Sequence, residues 1–188
     1  MRRRSLMKTA AWAAPTAAVS VAAPAFAVSP ESKKGLQGWV MVQSRCDRWS
    51  NTQTLTIDGR GSYPDRGLWI METAPGFDLS NAQVSDAKIT FYFPSTLGTL
   101  NWANRSGAGW SNLTQDDSAP QKAGYFAYSS TYGGRWRYDA THDVLIAVGQ
   151  PWFEATRSGC SRITAYARRS VTVDGEFVTF ERGPITLG

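Results

Sequence analysis

Near the C-terminus the chain alternates residue by residue. Ile163, Ala165, Ala167, Arg169, Val171 and Val173 hold one phase, and Thr164, Tyr166, Arg168, Ser170 and Thr172 hold the other. An extended backbone points successive side chains to opposite faces, so this period predicts a strand with one buried and one solvated face. Asp174-Gly175 follows, and glycine supplies the positive φ that a two-residue type I′ turn requires. Residues 176–181 then return as the partner strand. Such a turn fixes the register. It sets Val173 opposite Glu176, Val171 opposite Val178, Arg169 opposite Phe180 and Arg168 opposite Glu181. Apolar residues meet on one face and opposite charges on the other, as cross-strand pairing favours. Arg169 is the one charge on the apolar face, and packing on the Phe180 ring is its expected role.

The same period recurs upstream. Ala87, Ile89, Phe91 and Phe93 alternate with Lys88, Thr90 and Tyr92, and Leu55 and Ile57 alternate with Thr54 and Thr56. Further strands are expected over 36–42, 67–73, 124–129 and 144–148. Glycine- and proline-bearing turns separate them, at 58–61, 74–76, 93–94 and 132–134. No helical stripe is found after Val28. Roughly seven to ten short strands with such turns predict an all-β fold, an antiparallel β-sandwich, with a closed barrel as the alternative.

Composition changes the picture mainly at the N-terminus. The 188 residues carry 20 basic and 15 acidic groups, a formal net charge of +5. Arg2, Arg3, Arg4 and Lys8 precede every acid. Without them 16 basic groups face the same 15 acids, a net charge of +1. A near-neutral body argues against nucleic acid as a partner. After Lys8 comes an alanine-rich uncharged stretch that ends in Ala25-Phe26-Ala27. A basic start, a weakly apolar middle and small residues at a cleavage site predict a signal helix over 1–27. Pro15 and Pro24 argue against a membrane-spanning helix. Arg3-Arg4-Ser5-Leu6-Met7-Lys8 resembles the twin-arginine export motif, and a general secretory signal is the alternative. Cleavage after Ala27 would leave an exposed tail over 28–35 and a single β-sandwich domain over 36–188. It would place the protein outside the cytoplasm, with no membrane anchor.

Cys46 and Cys160 are the two cysteines. In an oxidising compartment a lone pair is most simply a disulfide. For a loop of about a hundred residues, chain-entropy reasoning gives roughly 4–5 kcal/mol of stabilisation.

Pro94 closing a strand, Gly109-Trp110 and the Asp-Gly hairpin together resemble the immunoglobulin-like modules of secreted bacterial surface proteins, over about the last hundred residues. The wide cysteine spacing departs from antibody-type domains, so the likeness concerns architecture and not their disulfide. The chain also resembles secreted proteins with twin-arginine signals from high-GC Gram-positive bacteria. That likeness implies location and not activity.

Candidate chemistry is sparse. No Gly-x-Ser-x-Gly nucleophile elbow occurs. His142, the sole histidine, sits in the polar stretch 139–143 and is expected at the surface. With both cysteines paired, zinc lacks ligands. For calcium, Asp116-Asp117 is the best local acidic pair, without the spacing of a binding loop. Glu154, Glu176 and Asp117 are nominal carboxylates for glycoside hydrolysis, without a motif. No metal, cofactor or catalytic residue is therefore assigned.

Aromatic residues are the surplus. Seven of the eight tryptophans follow position 27. Trp102, Trp110, Trp136 and Tyr138 fall among many Asn, Ser, Thr and Gly in 98–139. Rings of this kind stack on the C–H faces of sugars or anchor protein interfaces. They also fill sandwich cores. The expected function is secreted, non-catalytic binding or adhesion at the cell surface, toward an envelope glycan or a surface protein. A carbohydrate-binding module using those aromatics, with at least two of the four exposed and roughly coplanar, is the alternative. A small secreted hydrolase comes last.

Overall fold

The computed structural model describes residues 35–72 and 78–187. The signal residues Arg3, Arg4, Ala25 and Ala27, nearly all of the expected tail, and the 74–76 turn lie outside them. The chain is an antiparallel β-sandwich. Its strands are β1 (Gly35–Trp39), β2 (Met41–Asp47), β3 (Thr52–Asp58), β4 (Gly67–Met71), β5 (Val84–Pro94), β6 (Trp102–Asn104), β7 (Thr114–Gln115), β8 (Tyr125–Tyr132), β9 (Trp136–Asp139), β10 (Val144–Ala147), β11 (Trp152–Ser158), β12 (Ile163–Val173) and β13 (Glu176–Leu187). A five-stranded sheet runs β13-β12-β5-β8-β7. Two four-stranded sheets run β1-β4-β10-β9 and β2-β3-β11-β6. These two follow one another along the chain: Val40 alone separates β1 from β2, and residues 148–151 separate β10 from β11.

The C-terminal hairpin has the register that its sequence predicts. Val173 pairs with Glu176, Val171 with Val178, Arg169 with Phe180 and Arg168 with Glu181. Asp174 and Gly175 both take positive φ at the turn. The inner phase of β12 is buried throughout, and Arg168 Nη1 meets Glu181 Oε1 at 3.1 Å on the outer face. The strand β13 runs six residues beyond the expected end, past a cis Gly183–Pro184 bond and a register shift opposite β12.

Inner-face side chains of the sheets meet in one core. Ile89, Phe91 and Phe93 of β5, Leu55 and Ile57 of β3, Leu68 and Ile70 of β4 and Phe153 of β11 all belong to it. Each such side chain contributes about 1.5–3 kcal/mol on burial. At Gly38 the chains come close: a Cβ there would run into the Gly67 carbonyl, and its φ of +120° suits glycine.

Three expectations are corrected. Gly35 opens β1 and is not part of a tail. The span 36–42 divides at Val40, and β6, β9 and β11 add strands that period-two reading did not find. The outer face of β5 is not solvated: Thr90 and Tyr92 are buried. The segment after β7 folds over them. Ala119 packs with Tyr92 and Ala127, and Thr90 Oγ1 bonds Ser129 Oγ at 2.8 Å.

Candidate functional site

The four aromatics expected to bind ligand do not make a common exposed surface. Trp110 is buried, and Trp102, Trp136 and Tyr138 are half-buried and pack on the core. They divide into separate clusters. Trp102 leans on Phe93 and Tyr128, with ring centroids 5.3 and 6.2 Å apart. Trp110 and Trp136 both pack on Tyr132, at 4.9 and 5.1 Å. Trp110 Nε1 donates to the Gly149 carbonyl at 3.0 Å, and the Tyr138 hydroxyl donates to Asp143 at 3.0 Å. Rings this large fill the space between layers, and Trp102 Nε1 is buried without a hydrogen-bond partner.

The carboxylates are likewise occupied or scattered. Asp116 pairs with Lys88 Nζ at 2.6 Å and accepts from Ser118 Oγ at 2.6 Å. Burial opposes its ionisation, but the bonds from Lys88, Ser118 and Ser129 outweigh that and hold the carboxyl well below the usual range. Asp117 accepts from Gln115, Glu154 lies on β11 beside Arg105, and Glu176 opens β13. His142 Nδ1 lies 3.1 Å from Asp139, and its ring packs on Tyr63. Among the described residues no cluster of three or more His, Cys, Asp or Glu could hold a metal ion. No helix among them is long and apolar enough to cross a membrane.

A different part of the fold gathers accessible chemistry. Cys46 and Cys160 form a disulfide, so the end of β2 is tied to the segment between β11 and β12. Both cysteines are solvent-exposed. Every residue that brackets them closely in charge is an arginine, save Asp47. Arg45 and Arg48 flank Cys46, and Arg157 and Arg162 flank Cys160. The bridge therefore brings four guanidinium groups, distant in sequence, to one end of the sandwich.

The β2–β3 hairpin sorts these groups by face. Arg45 pairs with Thr54 and Asp47 with Thr52, while Cys46 pairs with Gln53 and Ser44 with Leu55. Leu55 and Gln53 are buried, so Ser44 and Cys46 share the inward face. On that side lies an open groove of about 670 Å³, lined by Ser44, Arg48, Gln53, Ser161, Arg162, Thr186 and the disulfide. A smaller one of about 320 Å³, lined by Arg45, Asp47, Ser50, Thr52 and Thr54, lies on the opposite face.

The floor of the larger groove is held rigidly. Gln53 is only 1% exposed. Its Nε2 donates to Ser44 Oγ at 2.8 Å and to the Ser161 carbonyl at 2.6 Å. Its Oε1 accepts from Arg157 Nη1 at 2.9 Å, and that nitrogen also donates to the Gly159 carbonyl at 2.8 Å. Arg157 Nε is buried without a partner. Arg48 and Arg162 are exposed and form no ion pair among the described residues.

At the hairpin tip Asp47 accepts from the Trp49 backbone N–H at 3.0 Å and from Ser50 Oγ at 2.8 Å. The Ser50 hydroxyl, then the Trp49 N–H, hold its carboxyl below the usual range. Asn51 takes the left-handed backbone that closes the turn, with φ of 49°. This compact turn projects Trp49 fully into solvent, at 100% exposure. Asp47 therefore stays ionised beside Arg45, while Arg48 and Arg162 form no ion pair among the described residues.

Sequence reading passed over this site. Its signal lies in the cysteines: once they are taken as bonded, the arginines flanking each must converge. Comparison with protein-family models, curated proteins and solved structures finds no match to the chain. The fold and the groove therefore define the class, a disulfide-tied antiparallel β-sandwich with a cationic end.

Proposed function

We propose that the protein is exported through its twin-arginine-type signal, loses residues 1–27, and works at the cell surface as a non-catalytic binding protein. The observation that carries this reading is Trp49, a fully exposed tryptophan in a turn whose neighbours Arg48 and Ser50 line two grooves. Tryptophan and arginine are among the side chains that most often anchor interfaces. The exposed disulfide supports an oxidising compartment. The likeness to immunoglobulin-like modules of secreted surface proteins supports the same location through architecture alone. The candidate carboxylates and His142 are held in separate local bonds, which favours binding over hydrolysis.

The test has two parts. The full chain is expressed in a bacterium competent for twin-arginine export, and the culture medium is examined by mass spectrometry. The expected product begins at Val28, and an Arg3→Lys, Arg4→Lys double variant stays inside the cell. The exported protein is then incubated with isolated cell walls. Co-sedimentation supports the binding reading, and a protein that stays wholly in the supernatant overturns it.

A further inference from the structure

We infer that the groove beside the disulfide is a binding site for an anionic sugar chain, with Arg48 and Arg162 taking its carboxylate or phosphate groups and Trp49 stacking on a sugar face. This rests on reading the protein as a binding protein, and it names the ligand class of that site.

The argument starts from charge. The chain after residue 27 has a net charge of +1, yet four of its arginines stand at one end. Guanidinium is planar and always charged at neutral pH, and it meets carboxylate or phosphate through paired N–H donors. Arg48 and Arg162 form no ion pair among the described residues, which leaves their donors to meet a ligand. The groove between them is lined otherwise by Ser44, Ser161 and Thr186, which are hydroxyl-bearing. The Ser44, Ser161 and Thr186 hydroxyls suit a polyol. Acidic patches and an apolar floor, which would suit a basic or greasy ligand, are not part of the lining.

Trp49 supplies the second element. Its neighbour Arg48 lines the groove, and its turn is pinned by Asp47. The turn backbone is fixed, and the indole it carries offers a flat apolar face open to solvent. A charged groove followed by a stacking face fits a chain that alternates anionic groups with apolar C–H faces. The floor is preorganised as well, since Gln53 and Arg157 are already locked to one another before any ligand arrives. A ligand of this kind binds through screened electrostatics, so affinity falls as ionic strength rises.

The experiment uses the exported protein with four soluble probes: alginate as a polycarboxylate, wall teichoic acid as a polyphosphate, neutral dextran, and a single-stranded oligonucleotide of similar charge density. Binding is followed by calorimetry and by Trp fluorescence. Alginate or teichoic acid is expected to bind, and which of them does identifies the anionic group. Arg48→Ala and Arg162→Ala should each weaken binding by about tenfold, and Trp49→Ala by a similar factor. Arg162→Lys keeps the charge and loses the fork, so it should fall between parent and Arg162→Ala. Circular dichroism confirms that each variant is folded, as expected for exposed positions. Equal binding by the Arg48→Ala, Arg162→Ala double variant overturns the site. Equal binding of dextran overturns the anionic requirement, and preference for the oligonucleotide overturns the sugar. Binding to isolated walls without binding to either anionic polymer overturns this inference and leaves the broader binding reading standing.

Discussion

Arg169 lies inside the hydrophobic core and donates from Nη1 to the carbonyl of Gly38, 2.8 Å away and 131 residues distant in sequence. It is 5% exposed. Phe180 lies beneath its guanidinium at 5.6 Å, and Arg182 approaches the same ring at 5.7 Å. No carboxylate pairs with it among the described residues. Burial, reinforced by Arg182, pulls its pKa down to about 9, which still leaves it charged at neutral pH.

A buried charge without an anion is costly, while its bond to Gly38 and its bulk are useful. Arg169→Met keeps most of the volume and removes the charge, but leaves the Gly38 carbonyl unbonded. These effects oppose, so urea unfolding should place this variant within about 1.5 kcal/mol of the parent. Arg169→Ala removes the bulk too and should cost about 2–4 kcal/mol more than the Met variant. If Met and Ala are equally destabilising, the side chain matters through its charge and not through packing.

The hairpin that carries Arg169 is legible in its register around the turn, although β13 runs six residues past its expected end. A strict period of two and an Asp-Gly turn leave one register, and that register is found. The aromatic segment leaves two readings open for a physical reason. Trp102, Trp110 and Trp136 sit among small polar residues, a composition shared by binding loops and by short strands that bury large rings. Period-two reading cannot separate these in β6 or β9, which span three and four residues. Nor could alternation reveal that Thr90 and Tyr92 are covered, because their cover comes from a non-strand segment after β7. The cationic end was hidden differently. Arg48 and Arg162 become neighbours only through a bond between residues 114 apart.

Asp116 makes the fold sensitive to acid. Its carboxyl titrates below the usual range in the folded chain, so the unfolded chain binds the proton first as pH falls. The stability it contributes is full above the ordinary aspartate pKa of about 4 and is lost progressively below it. Thermal unfolding between pH 7 and pH 2 should show a shallower acid decline for Asp116→Asn than for the parent. Identical acid limbs would mean that the Lys88 pair carries no linked stability.

The disulfide offers a second measurable constraint. Closing so long a loop restricts the unfolded chain, and its removal should cost about 2–5 kcal/mol. Both cysteines are exposed, so a reductant can reach the bond without prior unfolding. Dithiothreitol in the absence of denaturant should lower the Tm to that of a Cys46→Ser, Cys160→Ser variant. Retention of the parent Tm under those conditions would show the bridge to be protected.

Two tryptophans should respond in opposite ways. Trp110 is packed on Tyr132 and bonded to the Gly149 carbonyl, and Gly149 N–H in turn donates to the Tyr132 hydroxyl at 3.1 Å. Trp110→Ala empties that space and orphans a carbonyl, so it should cost about 3–5 kcal/mol. Trp49 touches nothing that it stabilises, and Trp49→Ala should leave unfolding within about 0.5 kcal/mol of the parent. Fluorescence quenching by acrylamide gives an independent check, because the most accessible component should be lost in Trp49→Ala while that of the partly exposed Trp39 remains. If that variant were instead strongly destabilised, Trp49 would be a packing residue and free exposure could not be what suits it to binding.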